Sequence, residues 1–339
     1  MKLQSAYQVT VIYNPSDFTN DPNIVKVDDG IQITATDVAE SLRQHGYQTD
    51  TYAVSPKNLY YLKDKKTDAF FNLCDGFGMY MRVVKQLEKH GKIFTGPGPD
   101  AMALTIDKIA TKKVFERIGV PTPKWQFVKN ARKKFSTQLK LPLIVKPPLE
   151  DCSIGISQHS IAEDKRALVN IVKEVCTTYK QGALIEEFIP GKEIHCTVVG
   201  NGEDAQVLSL AELRMENSVT EDTFVYDFEA KWVETSPRWQ HTFVSPAPTL
   251  DKGIAEKIQA DAKRAFLALG MKDYARFDIR YNTKTKKYYF LEVNANPSIY
   301  NSLDEATTRS AHASGLPYHQ FIHNIFEACK MRYSELVMT

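Results

Sequence analysis

Apolar and polar positions recur along this chain with two different periods, and the switches between them mark its elements. Gln8 to Tyr13 (QVTVIY) is an apolar run of strand length. From Ile31 to His45 apolar residues fall three and four apart, the spacing of a helix, and Gly46 follows as a C-cap. YQTDTYAV and DAFFNLC predict a second and a third strand. A helix is expected from Met79 to His90, stopped by Gly91, with KIFTGPGP giving a short strand and a turn. Such alternation predicts a small parallel α/β unit. Between Asn14 and Gly30 lies a polar loop rich in Asn, Asp and Pro, longer than most connections, and ordered loops of that length are often functional.

The pattern then changes. A helix is predicted from Asp100 to Ile118, ended by Gly119 and two prolines. After the basic run KNARKKF (Lys129 to Phe135), read as a solvated connector, Leu143 to Lys146 forms a short buried strand leading into a loop and another strand. A helix from Ala162 to Tyr179 precedes ALIEEFIPGKEIHCTVVGNG, two strands around a Pro-Gly turn. The remainder holds AQVLSLAELR, an irregular aromatic stretch from Thr220 to Thr242, a helix from Asp251 to Leu269, a hairpin and a C-terminal helical region. Strands and helices in this order predict mixed α+β units.

The hairpin carries the strongest chemical signal. Its strands, about Ala275 to Tyr281 and Lys287 to Val293, flank a polar NTKTK stretch. A register pairing Tyr281 with Tyr289, Asp278 with Glu292 and Arg276 with Asn294 puts the last four of these residues on one face. Two carboxylates opposite each other repel, and an unpaired carboxylate in a buried strand is expensive. A divalent cation removes that penalty, and Asp, Glu and Asn oxygens suit Mg²⁺, with Mn²⁺ as a substitute. Asp278, Glu292 and Asn294 are therefore the candidate metal ligands. The alternative is an edge hairpin with a solvated charged face.

Composition narrows the partners. The 339 residues are long for one core and predict two or three compact units. Net charge is +2, from 43 basic and 41 acidic residues, so nothing in the charge balance favours a nucleic-acid backbone. The five cysteines include no C-x-x-C pair and suggest neither a disulfide framework nor a zinc site. A reducing interior fits them. No signal-peptide core or membrane-spanning run is visible, so a cytoplasmic protein is expected.

Six motifs occur in a fixed order: GPGPDAMALTIDKIATKKVF, LIVKPPLEDCSIGIS, LIEEFIPGKEIHCTVVG, YDFEAKW, ARFDIR and LEVNANPS. Together, over about Asp68 to Ala328, they resemble the ATP-grasp ligases typified by D-alanine-D-alanine ligase. The resemblance implies an ATP-grasp fold, α/β and α+β, with an N-terminal parallel α/β domain at 1–99 and two mixed α+β units clamping ATP, at 100–185 and 186–339. It implies that ATP activates a carboxylate as an acyl phosphate, which an amine then attacks to form an amide, releasing ADP and phosphate. Lys108 and Lys146 match the family's phosphate-contacting lysines, and Lys231 one that reaches the γ-phosphate. Glu150 and Ser153 fall in the phosphate-covering loop (Pro148 to Gly155). Glu186, Glu187, Phe188 and Ile189 would meet the adenine, and Glu193 the ribose. Arg276 and the backbone N–H of Ser298 match groups that stabilise the tetrahedral intermediate. The resemblance also leaves a homodimer open.

The departures cluster on substrate positions. IYNPSDFTNDPN lacks the family's first glycine-rich loop and its following acid, FNLCDGFGM stands where a His-Gly is usual, and Trp232 replaces a tyrosine. Retained ATP chemistry on different small-molecule carboxylate and amine substrates is the expectation, with Asp75, Trp232 and the Asn14 to Gly30 loop as candidates for recognising them. Authentic D-alanine-D-alanine ligase, a silent ATP-binding regulatory protein, and a phosphotransferase acting on a sugar or inositol are the competing readings.

Overall fold

Three β-sheets organise the chain in the computed structural model, which describes residues 7–15, 30–76, 78–131, 135–216, 225–245 and 250–338. Most of the Asn14 to Gly30 loop, part of the Lys129 to Phe135 run and the start of the Thr220 to Thr242 stretch lie outside the described residues. In the first sheet β1 (Gln8–Tyr13) pairs in parallel with β2 (Gln48–Ala53) on one side and β3 (Ala69–Asn72) on the other. Helix α1 (Ile31–Gln44) buries Ala35, Val38, Ala39 and Leu42, the apolar stripe expected from the sequence. Helix α2 (Met79–Lys89) follows. The strand expected at KIFTGPGP reduces to a single parallel bridge between Phe70 and Phe94. Prolines at 97 and 99 lack the N–H needed to extend a ladder.

The helix predicted from Asp100 to Ile118 is two helices, α3 (Pro99–Ile106) and α4 (Lys108–Ile118). Asp107 between them is extended, at φ −85° and ψ 100°, and its carboxylate accepts hydrogen bonds from the N–H groups of Ile109 and Ala110. An aspartate can compete with the helix for backbone donors and so serve as the cap of a new helix. Apolar spacing continued across the break and hid it.

The second sheet is antiparallel, in the order β4 (Trp125–Val128), β7 (Ala183–Glu187), β5 (Leu143–Lys146) and β6 (Ile161–Ala162). Helix α5 (Lys165–Thr178) covers it. It begins later than the expected Ala162, because Asp164 caps it by accepting from Ala167 N–H. The expected domain division after residue 185 falls inside β7.

The third sheet runs β11 (Thr242–Ser245), β10 (Ala211–Met215), β8 (Lys192–Gly200), β12 (Asp273–Asn282) and β13 (Lys287–Asn294), with β9 (Gln206–Val207) also on β8. Two short helices, α6 (Phe228–Trp232) and α7 (Pro237–Gln240), precede β11. Helices α8 (Lys252–Ala268), α9 (Ala306–Ala313) and α10 (Tyr318–Met338) complete the chain. The two strands around the Pro-Gly turn thus belong to different sheets, and that turn carries the chain from one to the other. Gly191 sits there at φ +120°, where a Cβ would fall 2.2 Å from the Tyr281 carbonyl oxygen, so no other residue fits.

The late hairpin has the expected register at its functional end and a different one beyond it. Arg276 pairs with Asn294 and Asp278 with Glu292, but Ile279 pairs with Phe290 and Tyr281 with Tyr288. The predicted Tyr281–Tyr289 pair is therefore corrected by a β-bulge after Asp278, a device that re-aims side chains next to active sites. Beneath it Phe290 contacts Phe115 and Phe277 edge-on, with ring centroids 5.7 Å away in both cases. The N-terminal unit is fastened to this sheet by Arg332, which donates to Asp273 Oδ2 (2.8 Å) and to the Phe94 carbonyl (2.9 Å), and by Asn296, which donates to the Cys74 carbonyl (2.9 Å).

Because Asp107 caps α4, Asp107→Ala is expected to cost about 1 kcal/mol of stability and Asp107→Ser well under half of that. Chemical denaturation of the two variants measures the difference.

Candidate active site

Helix α4 begins by aiming a lysine at the hairpin. Lys108 Nζ lies 3.0 Å from Glu292 Oε2 and donates to the Glu150 carbonyl at 2.5 Å. One turn on, Lys112 is fully buried, with Nζ 3.0 Å from Glu186 Oε1 and 2.9 Å from Thr122 Oγ1. Lys146, closing β5, takes the other oxygen of Glu186 at 3.0 Å. Burial opposes the charge on Glu186, yet Lys112 and Lys146 together hold its carboxyl below the usual range. Burial lowers Lys112 to about 8 against the pull of Glu186.

On the hairpin face, Arg276 grips Asp278 with both ends of its fork, Nε to Oδ1 at 2.8 Å and Nη2 to Oδ2 at 3.2 Å. Asn294 Nδ2 also donates to Asp278 Oδ2, at 3.0 Å. Burial works against ionisation of Asp278, but the Arg276 guanidinium holds its carboxyl far below the ordinary value. Glu292 is lowered in the same way, burial being outweighed by Lys108. Two ionised carboxylates and an amide therefore share one face. Among the described residues no three His, Cys, Asp or Glu side chains are grouped to enclose a metal ion alone. The donor set fits Mg²⁺, which takes few protein oxygens and completes its shell with phosphate and water.

The expected adenosine residues follow on β7 and the turn after it. The Glu187 carboxylate accepts from Lys140 N–H (3.1 Å), and Phe188 N–H donates to the Pro142 carbonyl (3.0 Å). Arg280 donates to the Ile189 carbonyl (3.0 Å), lies over the Phe188 ring at 5.6 Å and reaches Glu193 Oε2 at 3.5 Å. Glu150 turns its carboxylate to Gln181 Nε2 (2.5 Å), leaving only its carbonyl toward Lys108. In the covering loop, Cys152 and Ser153 both have left-handed backbones, at φ 52° and 62°. Ser153 Oγ donates to the Tyr226 carbonyl at 2.9 Å, and Trp232 Nε1 to the Cys152 carbonyl at 3.0 Å. The loop is thus docked on α6 and the segment before it. Gly155 is required at its end, since a Cβ there would come within 2.9 Å of Pro147 and Tyr179.

A cavity of about 660 Å³ opens between these parts. Of the expected residues, Asp75, Lys231, Trp232, Arg276, Asn294 and Ser298 line it. Lys108, Lys146, Glu186, Glu193, Asp278 and Glu292 are not among its lining residues; of these, Asp278 is tied to the lining through its ion pair with Arg276. Among the described residues no carboxylate lies within 4 Å of Lys231 Nζ, which sits over the Tyr226 and Trp232 rings at 5.9 and 5.4 Å. Its pKa is raised even though burial acts to lower it. Ser298 Oγ is buried without a hydrogen-bond partner among the described residues. Asp75, whose Oδ1 accepts from Gly76 N–H at 2.8 Å, is pushed up to about 7 by burial and then by the facing Asp151.

Four contributors escaped the sequence reading. Lys112 had a signal, its i+4 spacing from Lys108 on one helix face. Arg280 and His195 stood at the two-residue spacing of residues already singled out on β12 and β8. Glu305, 3.6 Å from Arg276 Nη1, lies in a turn that periodicity does not locate.

Buried lysines, a facing carboxylate pair and a docked loop, set between two antiparallel sheets, are the arrangement of an ATP-grasp protein. The family profile described as "D-ala D-ala ligase C-terminus" matches residues 114–327, and the chain belongs to the D-alanine–D-alanine ligase family. It is 31% identical to the D-alanine–D-alanine ligase of Carboxydothermus hydrogenoformans, across 78% of this chain and 82% of that one. Its identity to the D-alanine–D-alanine ligase of Herminiimonas arsenicoxydans is 29%, across 86% of this chain and 85% of that one. The crystal structure of D-alanine–D-alanine ligase from Bacillus anthracis complexed with ATP superposes with a TM-score of 0.75 at 22% identity, covering 97% of this chain and 99% of that one. No helix among the described residues is long and apolar enough to cross a membrane.

The raised pKa of Asp75 has a consequence for stability. Between the unfolded value near 3.8 and the folded value of about 7, the native state keeps a proton that the unfolded chain has lost, so Asp75 destabilises the fold as pH rises through that window. Asp75→Asn is expected to raise the melting temperature at pH 8 and to lose that advantage by pH 4. Thermal melts of both proteins across pH 4–8 check it; equal differences at the two ends would contradict it.

Proposed function

We propose that this chain is an ATP-dependent carboxylate–amine ligase that forms an amide or peptide bond on an amino acid or amino-acid-like substrate, by way of an acyl phosphate, and releases ADP and phosphate. The observation that carries the reading is the Asp278–Glu292 pair: two ionised carboxylates held opposite each other by Arg276 and Lys108, beside Lys146 and Lys231. Phosphoryl transfer asks a protein for position and charge neutralisation rather than covalent help, and this cluster offers both.

The roles assigned to individual residues belong to this proposal. Lys108, Lys146 and the N–H groups around Ser153 hold phosphate oxygens, with Glu186 fixing Lys146 from behind. Phe188, Ile189 and the neighbouring Glu187 border the adenine, and Glu193 takes the ribose hydroxyls. Mg²⁺, held by Asp278, Glu292 and Asn294, would neutralise charge on the phosphate oxygens; Mn²⁺ suits the same donors. A substrate carboxylate oxygen attacks the γ-phosphorus, the bond to ADP breaks, and Lys231 stabilises the transferring group. The amine then attacks the acyl carbon. Arg276 and the Ser298 N–H face the oxygen that becomes negative, and the carbon–oxygen bond to phosphate breaks as the amide forms.

The substrates are proposed to differ from D-alanine. Trp232, Trp239, Tyr226 and Tyr300 wall the cavity and suit a side chain larger than methyl. Asp75 lines the end contributed by the N-terminal unit, where it is placed to meet a substrate amino group. The expected setting is the cytoplasm, with small-molecule partners, and the resemblance leaves a homodimer open.

Phosphate release from ATP and Mg²⁺, followed across pools of amino acids and small carboxylates with mass spectrometry of the product, tests the reading. An amide product with ADP supports it; tight ATP binding without stimulated turnover in any pool would favour a silent regulatory protein. Glu292→Gln should lower turnover by at least about 10³-fold with unchanged circular dichroism. A near-normal rate removes the metal assignment.

A further inference from the structure

Strand β8 lies beside β12 so that Glu193 pairs with Arg280, His195 with Asp278, and Thr197 with Arg276. Direct partners share a face, so His195 belongs to the same surface as Asp278 and, across β13, Glu292. His195 is only 3% exposed and lines the cavity. Among the described residues neither of its ring nitrogens has a hydrogen-bond partner. Nε2 stands 3.6 Å from Glu193 Oε1 and 3.8 Å from Asp278 Oδ1, beyond hydrogen-bonding distance of both. Leaving a buried polar group unsatisfied is costly, and native proteins rarely do so without a ligand or a function to complete it. The other unsatisfied side chain on this strand, Thr197, is fully buried and does not reach the cavity.

Position says which ligand would complete it. In the proposed nucleotide site Glu193 marks the ribose end, and Asp278 is one of the residues that would hold the cation. His195 lies two residues along β8 from Glu193, about 6.6 Å at the usual strand rise, and beside Asp278. That is where the phosphates nearest the ribose must pass. We propose that His195 is a nucleotide-contacting residue, whose ring N–H donates to an oxygen of the α- or β-phosphate of the bound nucleotide. An imidazole keeps at least one N–H in either protonation state, so the contact needs no change of charge.

The proposal rests on the nucleotide reading but can fail separately from it. Calorimetric titration of the whole chain with ADP in excess Mg²⁺, and competition by adenosine for the same site, would be run on the wild type, His195→Ala and His195→Gln. The expected result is a loss of ADP affinity of about tenfold in His195→Ala, with adenosine affinity unchanged. Partial recovery is expected in His195→Gln, which regains an N–H donor. ADP affinity within twofold of wild type in His195→Ala would overturn the proposal alone. So would an equal loss for adenosine, which would place the effect on Glu193 and the ribose, or on the fold. A wild type that binds no ADP would overturn the nucleotide reading and the proposal with it.

Discussion

Two carboxylates facing each other across a buried hairpin set the terms for much of this structure. Asp278 and Glu292 occupy one cross-strand pair, where like charges repel and neither can be left without a counter-charge. The fold answers from two directions. Arg276 comes from the same strand, two residues away, and closes a two-pronged pair on Asp278. Lys108 comes from a helix in a different part of the chain and reaches Glu292. Lys108 is the first residue of its helix, and Asp107 before it interrupts the preceding helix and caps the new one. A carboxylate on one strand is thus met by a helix start about 185 positions earlier in the chain.

The same logic repeats behind the cavity. Glu186 is nearly inaccessible and carries two lysines, one from α4 and one at the end of β5. Removing a single member of such a trio leaves an uncompensated charge in a poorly solvated place, which costs more than the trio itself contributes. Lys108, Lys112, Lys146 and Arg276 are thereby held in fixed positions, while Lys231 lies over the Tyr226 and Trp232 rings. Only Lys231 among those four lysines lacks a carboxylate within 4 Å in the described residues, and its charge is the one directed into the cavity.

Much of the fold was legible because its elements have clean periods. β1 has the bounds its apolar run predicts, and α1, α2 and α8 end within a residue or two of expectation. The hairpin register at Arg276 and Asp278 followed from requiring the polar side chains to share a face. Beyond Asp278 the rule failed, since a bulge inserts one residue on one strand and no periodicity announces it. The break at Asp107 was hidden for a related reason: the apolar pattern is continuous, and the signal is one side chain capping the next helix. Lys112 had only its i+4 spacing from Lys108 to mark it, and its burial becomes evident once β7 brings Glu186 to it. The pairing of β7 and β8 with separate sheets was likewise invisible, because a Pro-Gly turn reads the same whether it closes a hairpin or bridges two layers.

Helix α4 fastens the hairpin sheet through its first residue and the other antiparallel sheet through the residue one turn later. The seam between the sheets is therefore pinned on that side by buried ion pairs. Across the cavity, the loop from Pro148 to Gly155 meets α6 and its flank through single hydrogen bonds, such as Ser153 to Tyr226 and Trp232 to Cys152. Individual neutral hydrogen bonds exchange for water at little net cost, whereas separating a desolvated ion pair does not. The spine is thus held by desolvated ion pairs and the contact of the loop with α6 by neutral hydrogen bonds, so that contact is the seam of the clamp that costs least to part.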